Sequence, residues 1–281
     1  MPTHYAKRSI EIFREEGIVE LTKASARFIS RRLRRLSLHA KVRYQRMKYG
    51  ESYPDPLALI NANPKDVKYY LLSSNQTDYH YYNEIEDEVT DLYQTDKARF
   101  RRYVNLGRTI GGDWDKHKRE WDSHDLFCSL KSVYVQGEPW ENTKFIQLCL
   151  NRIERGYDSY GYNTKEDFLE HRTAYIDSIY RDIKENGYKT QEEAENDHRN
   201  QDILHEVTVN IGRNGELIFN NETGQHRLSL AKILEVPEVP MLVVARHKQW
   251  QELRDDIDKN GLTEEHDDEL RKHPDLQDIL N

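Results

Sequence analysis

Residues 216–234 constrain the fold most strongly, because they indicate a strand, a sharp turn and a helix in immediate succession. The hydrophobic run at 216–219 is followed by polar turn residues, by Gly224 and then by a helix at 228–234. A glycine at such a junction permits a left-handed backbone and the close approach of a ligand. The N–H groups at the helix start then face one place, where the helix dipole favours an anion. The segment therefore predicts a phosphate-binding turn.

The side chains of this turn add hydrogen-bond donors to the backbone amides. The planar guanidinium of Arg227 suits phosphate oxygens, and His226 can donate a hydrogen bond or transfer a proton near neutral pH. Glu222 is a further candidate base. An alternative also fits the residues: His226 packs beneath the helix and Arg227 pairs with Glu222 or Glu235. The predicted phosphate contacts are Thr223, Gly224, Gln225, His226 and Arg227.

Three further elements surround the turn. Residues 166–186 have the spacing of an amphipathic helix that ends at Gly187, and its predicted buried side includes Phe168, Tyr175, Ile176 and Ile183. Residues 206–219 alternate around a glycine-containing turn and predict a β-hairpin. A buried strand is expected at 241–245.

In this order the elements resemble the ParB/sulfiredoxin-like superfamily over residues 170–247. The likeness lies in YIDSIYRDIKENGYKTQ and ELIFNNETGQHRLSLAKILEVPEVPMLVV, with LALINANPKDV at 57–67 similar to the first strand. The resemblance implies an α+β fold, a small mixed sheet flanked by helices, that binds ATP, ADP or CTP. It implies phosphate contacts from Gly224, His226 and Arg227. Lys189, Thr190 and Gln191 would line the nucleotide. The whole chain also resembles uncharacterised archaeal proteins.

Two departures from that superfamily narrow the expected chemistry. Gln225 stands where sulfiredoxins have their reactive cysteine, and neither Cys128 nor Cys149 fits that role, a disulfide framework or a zinc site. The acidic segment 251–281 replaces the DNA-reading helices of partition proteins. We therefore expect a nucleotide-dependent phosphotransferase that acts on a small hydroxyl-bearing substrate. Two alternatives remain: a nucleotide-gated scaffold without turnover, and a ParB-like, CTP-binding protein associated with nucleic acid.

A second candidate site is the loop Ile110-Gly111-Gly112-Asp113-Trp114-Asp115. Its carboxylates are hard oxygen ligands, so Asp113 and Asp115 could hold Mg²⁺, and Asp113 could act as a general base. The competing interpretation is a turn that caps the next helix, with Trp114 in the core. His247 is either another phosphate contact or a surface residue.

The charge distribution separates the first fifty residues from the rest. Residues 1–50 carry thirteen lysines and arginines against four acids, a net charge of +9, whereas the remainder carries a net charge of −17. Apolar residues recur at helical spacing in this basic arm. Three partners suit it: an anionic membrane surface, the acidic body of the chain, or nucleic acid. The basic residues proposed for an anionic surface are Arg27, Arg31, Arg32, Arg34 and Arg35.

The expected organisation is a basic arm at 1–50 and a ParB/sulfiredoxin-like domain at 51–281. That domain would contain a helical insertion at 117–165 and the acidic tail at 251–281. No apolar run is long enough to span a bilayer, and no signal-peptide pattern is present. The expected location is the cytoplasm, including the inner face of the membrane.

Overall fold

The structure, a computed structural model, describes residues 52–71, 106–193, 203–220, 223–263 and 268–280, with isolated positions among the first fifty residues. The chain divides into two compact units, Met1–Tyr53 and Pro54–Asn281. In the first unit the described positions 18, 22, 40, 43, 44, 46 and 47 are helical. The arginines predicted to bind an anionic surface, Arg27, Arg31, Arg32, Arg34 and Arg35, lie outside the described residues.

The second unit is built on a mixed sheet of seven strands within the described residues. The strands are β1 Leu59–Ala62, β2 Tyr69–Leu71, β3 Arg108–Ile110, β4 Lys118–Glu120, β5 Val207–Ile211, β6 Leu217–Phe219 and β7 Val239–His247. Their order is β1-β7-β5-β6-β2-β4, and β3 pairs with the last three residues of β7. β5 and β6 form the predicted antiparallel hairpin, and β7 runs parallel to β5. The sequence prediction of a mixed sheet is thus confirmed.

The helices follow the sequence pattern closely. They are α1 Asp125–Gln136, α2 Lys144–Glu154, α3 Lys165–Asp167, α4 Thr173–Asn186, α5 Gln225–Ile233, α6 Lys248–Asn260, α7 Asp268–Lys272 and α8 Gln277–Leu280. A π-helical turn, Phe168–Arg172, joins α3 to α4, so the predicted helix at 166–186 is present but wider in its first part. Phe168, Ile176 and Ile183 are buried as expected. The prediction for Tyr175 is wrong, since this side chain is 45% exposed.

Helix α5 lies between two hydrophobic clusters. Leu228 and Ala231 pack in the cluster that covers the sheet, whereas Leu230 packs with residues of α1, α2 and α4. Residues 228–231 are all fully buried, which explains why the helix carries no solvated stripe in its middle. The start of α5, where the predicted phosphate contacts lie, thus directly precedes residues that pack on two sides of the helix.

The second unit includes both the predicted helical insertion at 117–165 and the acidic tail at 251–281, and both pack against its other elements. Residues 118–120 form β4, which pairs antiparallel with β2, while α1 and α2 lie in the helical cluster. In the acidic segment, Arg254 and Leu276 are fully buried. Because arginine is rarely buried without partners, this segment requires specific ion pairs, which Asp275 and Asp278 supply to Arg254.

Candidate functional site

The turn between β6 and α5 has the geometry that the sequence predicts. Gly224 adopts a left-handed conformation with φ of 86° and precedes the first residue of the helix. A Cβ atom at this position would lie 2.6 Å from the Cα atom of Val207, so the position requires glycine for its conformation and for its space. Gly224 offers no side chain to cap the first N–H groups of α5. Within the described residues, the helix start therefore has no side-chain cap from its N-cap residue and suits an anion.

Arg227 is bound to two neighbouring segments. Its Nη1 donates to Oε2 of Glu206 at 3.1 Å, and its Nη2 donates to the backbone carbonyl oxygen of Lys189. The guanidinium carbon also lies 4.4 Å from the ring centroid of Tyr188. Glu206 is buried, and burial raises its pKa although Arg227 opposes that effect. A phosphate at Arg227 would therefore share this side chain with Glu206.

The segment after α4 lies beside Arg227, which it contacts mainly through its backbone. The N–H of Gln191 donates to Oε1 of Glu206, next to the contact of Arg227 with Lys189. Thr190 is engaged locally, since its N–H and its hydroxyl each donate to Oε2 of Glu193 at 2.9 Å. The Nζ of Lys189 lies 3.6 Å from Asp182. The structure thus brings Lys189 and Gln191 beside Arg227, whereas the side chain of Thr190 stabilises its own turn.

Arg172 is a residue of this site that the sequence reasoning missed. Its Nη2 lies 2.9 Å from Nε2 of His226, and its guanidinium carbon lies 3.8 Å from the ring centroid of Tyr160. Arg172 has no ion-pair partner among the described residues, and its buried Nε has no hydrogen-bond partner there. Arg172 is the last residue of the π-helical turn, a feature often found at functional sites. The spacing of apolar residues predicts a regular α-helix here and therefore does not reveal this turn.

His226 is held as a neutral imidazole. Arginine can only donate, so Nε2 of His226 must accept from Arg172 and the ring proton resides on Nδ1. Burial, with the charge of Arg172 as a second cause, holds the pKa of His226 well below its usual value. Its Nε2 lone pair is therefore not available to remove a proton while Arg172 remains in place.

Tyr160 and Gln225 complete the surroundings of this histidine. Tyr160 has a positive φ of 53°, which is unusual for a residue other than glycine and is associated with functional sites. The Nε2 of Gln225 lies 3.5 Å from the Tyr160 hydroxyl oxygen, and the Phe145 ring meets His226 edge-on at 5.9 Å. The backbone carbonyl of Thr223 accepts from Thr208 at 3.4 Å. Glu222, the predicted alternative base, lies outside the described residues.

An arginine side chain binds both carboxylates of the glycine loop at 110–115. Nη2 of Arg213 donates to Oδ1 of Asp113 and to Oδ1 of Asp115, both at 2.7 Å, and its Nε donates to Oδ2 of Asp115 at 2.9 Å. Burial alone would raise the pKa of Asp115, but the hydrogen bonds from Arg213 lower it to about 2. Trp114 is buried, as the structural interpretation expects. Asp113 also pairs with Lys116 at 3.1 Å, so two cations already balance the two carboxylates, a poor fit to Mg²⁺.

His247 also has a structural role in this region. It is buried, its Nδ1 accepts the N–H of Gln249 at 3.1 Å, and its Nε2 donates to the carbonyl oxygen of Gly112 at 2.8 Å. The prediction of a surface position is therefore wrong. Elsewhere in the described part of the chain, no group of three or more histidine, cysteine or acidic side chains could hold a metal ion. Among the same residues, no helix is long and apolar enough to cross a bilayer.

Comparisons of the sequence and structure with protein-family models, curated proteins and solved structures find no match. The resemblance to the ParB/sulfiredoxin-like superfamily consequently stays a prediction that depends on the order of elements and on the Gly224 turn.

Proposed function

We propose that the protein binds the phosphates of a nucleotide at the Gly224 turn and transfers a phosphoryl group to a small hydroxyl-bearing substrate. The observation that carries the proposal is Arg172, a partly buried cation without an ion-pair partner among the described residues, beside the start of α5, where Gly224 provides no side-chain cap. A buried charge without a partner is costly, and an anion would compensate it. Nucleotide phosphates combine this charge with oxygens that suit guanidinium and amide donors.

We further propose that the mixed sheet and its helices form a ParB/sulfiredoxin-like fold, which the order of elements supports. The helix α4, the hairpin β5–β6, the turn at Gly224, the helix α5 and the strand β7 follow one another as that superfamily implies. On this basis the ligand is ATP, ADP or CTP. Anchoring of the basic arm on an anionic membrane surface stays a prediction, since its arginines lie outside the described residues.

In the transfer reaction, a P–O bond of the nucleotide breaks and a new P–O bond forms to the substrate oxygen, whose proton leaves to a base, for which Glu222 stays the predicted candidate. The amides of α5, with Arg172 and Arg227, would stabilise the charge on the phosphoryl oxygens. His226 would donate through Nδ1 rather than act as the base, because its Nε2 faces Arg172. Asp113 and Asp115 do not fit a metal-binding role, since Arg213 holds their oxygens.

A second candidate function, nucleotide binding without turnover, is favoured by the state of the acidic groups. Glu206 is engaged by Arg227 and by the N–H of Gln191, and Asp113 and Asp115 by Arg213. Within the described residues the turn therefore lacks a carboxylate that is ready to accept a proton. In this case the bound nucleotide would organise the turn and its neighbours as a scaffold. A ParB-like role with CTP and nucleic acid is the remaining alternative.

Binding is tested by calorimetric titration of the full chain with ATP, ADP, CTP, GTP and pyrophosphate, each with Mg²⁺. We expect at least one nucleotide to bind, and Arg172→Met to weaken it roughly tenfold or more, as for the loss of a charge-assisted hydrogen bond. The control is Arg155→Met, because Arg155 is exposed at the end of α2. If no nucleotide binds the wild-type chain, or if both variants bind equally well, the proposed site is wrong.

Turnover separates the two candidates. Phosphorus NMR of the wild-type chain with the bound nucleotide and mixtures of small alcohols, hydroxy acids and sugars should reveal a new phosphate ester. Nucleotide that binds but stays intact in every mixture would favour the scaffold function. Binding of CTP alone, with hydrolysis stimulated by DNA, would favour the ParB-like role.

A further inference from the structure

A groove of about 380 Å³ lies away from the Gly224 turn, on the side of the molecule where α5 ends. It lies between the 3₁₀ turn Pro64–Asp66, the paired strands β2 and β4, and the last turn of α5. Its lining consists of three lysines, two acids and three aromatic residues: Lys65, Lys68, Lys232, Glu120, Asp122, Tyr69, Trp121 and Phe127. This composition differs from that of the chain beyond residue 50, because residues 51–281 carry a net charge of −17.

Lys232 is the cation that the groove holds most tightly. Its Nζ donates to the carbonyl oxygen of Val67 at 2.8 Å and lies 5.3 Å from the ring centroid of Trp121. The contact with the Trp121 ring depends on the ammonium charge, yet Lys232 forms no ion pair within the described residues. Burial lowers its pKa to about 8, although Asp122 and Asp66 act in the opposite direction. An approaching anion would compensate this partly desolvated charge.

The other two lysines differ from Lys232 in their exposure and partners. The Nζ of Lys65 lies 2.7 Å from Oε1 of Glu235, and both side chains are mostly exposed. Lys68 is exposed, while its carbonyl oxygen accepts the N–H of Trp121 at 2.8 Å. That backbone contact fixes Lys68 next to the aromatic wall of the groove, which Tyr69, Trp121 and Phe127 form. An anion seated at Lys232 would therefore have Lys68 within the same groove.

The aromatic wall indicates a second property of the ligand, an apolar part that covers the rings. Tyr69 and Phe127 both line the groove and are only partly buried. The Nζ of Lys118 lies 4.4 Å from the centroid of the Tyr69 ring and covers part of it, which leaves Phe127 and the remainder of Tyr69 for a ligand to cover. A simple inorganic anion would satisfy the lysines and leave this surface in water. Burial of apolar area adds affinity that a bare anion cannot obtain.

We infer that the groove bounded by Lys68, Lys232 and the rings of Tyr69 and Phe127 binds a small organic anion with an aromatic or apolar part. Both carboxylates and phosphate monoesters carry this chemistry. The inference is independent of nucleotide binding at the Gly224 turn, since the two sites share no lining side chain. Lys232 and His226 lie six residues apart in α5, a rise of roughly 9 Å along the helix axis.

The test uses the full chain labelled with ¹⁵N at its tryptophans, with benzoate and phenyl phosphate as probes. The indole N–H signal of Trp121 can be assigned by its contact with the Phe219 ring, whose centroid lies 5.1 Å away. We expect both probes to shift this signal in a saturable manner at millimolar concentrations. Benzamide, a neutral ring, and inorganic phosphate, an anion without a ring, should each bind more weakly than phenyl phosphate.

Lys232→Met should weaken the binding of benzoate and phenyl phosphate roughly tenfold or more. Lys68→Glu gives a second variant at an exposed position and should weaken binding as well. Lys248→Met is the matched control, because Lys248 is an exposed lysine of α6 outside the groove.

Several outcomes would overturn the inference. The first is a Trp121 signal that neither aromatic anion moves, and the second is equal affinity for benzamide and benzoate. Equal affinity for inorganic phosphate and phenyl phosphate would contradict the role of the aromatic wall. Binding that persists unchanged in Lys232→Met and Lys68→Glu would locate the ligand elsewhere.

Discussion

Two regions of the second unit contain buried or partly buried arginines, and the partners of these arginines differ between the regions. In the C-terminal segment, Arg246 and Arg254 surround Asp275, and all three side chains are at most 4% exposed. Asp275 also accepts the indole N–H of Trp250 at 2.9 Å. At the Gly224 turn, by contrast, Arg227 is 15% exposed beside the carboxylate of Glu206.

The difference lies in whether the protein itself provides the anion. Asp275 supplies a carboxylate between two guanidinium groups, and Asp278 supplies another to Arg254 at 2.9 Å. At the turn, Arg172 faces a neutral imidazole and an aromatic ring instead. A cluster that is internally neutralised stabilises the fold, whereas a cluster with excess positive charge beside the start of a helix is suited to an external anion.

Asp275→Asn should have the largest effect on stability. The amide cannot neutralise Arg246 and Arg254, so two buried cations would lose their common carboxylate. We expect the free energy of unfolding to fall by about 3–5 kcal/mol, measured by urea denaturation. The control is Asp278→Asn, whose side chain is 49% exposed and should cost less than about 1 kcal/mol. Equal losses in the two variants would contradict the distinction between the clusters.

Gly224→Ala should have the next largest effect. The new Cβ would meet the backbone of Val207 at 2.6 Å in addition to the strain of a left-handed conformation. We expect a loss of about 2–3 kcal/mol in unfolding free energy, together with loss of nucleotide binding.

Gly261→Ala separates steric conflict from backbone strain. Gly261 has a φ of 74°, and a Cβ added there would have no neighbouring atom within 4 Å, so its substitution should cost only about 1 kcal/mol. If Gly224→Ala were no more damaging than Gly261→Ala, the close approach of the turn to β5 would not be important for stability.

The sequence predicts the framework of this site because local signals agree there. The hairpin at 206–219, the glycine at 224 and the helix that follows each have a short-range chemical cause, and all three are present in the structure. The same applies to Gly187, which ends α4 with a φ of 78°. Elements with such local determinants can be assigned without knowledge of their tertiary contacts.

The partners of the site residues could not be predicted, since they come from distant parts of the chain. Glu206, rather than Glu235, faces Arg227 among the described residues, and Glu235 contacts Lys65 instead. Arg172 reaches His226 from 54 positions away because a π-helical turn changes the phase of the helix. Arg213 likewise reaches Asp115 across 98 positions, which no short motif indicates.

Arg172→Met should produce the smallest of the three effects and bears directly on the turn. Burial lowers the pKa of His226 most and the charge of Arg172 lowers it further, so removal of that charge should raise the pKa without restoring its ordinary value. In the wild-type chain the unfolded state binds the proton more readily, and stability must therefore fall as the pH decreases below about 6.5. The fall should be smaller in Arg172→Met, because its folded state accepts the proton at a higher pH.

NMR titration of the histidine signals measures the pKa of His226, and urea denaturation at several pH values measures the free energy of unfolding. Arg181→Met, an exposed arginine of α4, should leave the pKa of His226 unchanged. A pKa that stays constant in Arg172→Met would mean that burial alone keeps His226 neutral, and Arg172 would then be free to serve the bound anion without influencing the histidine.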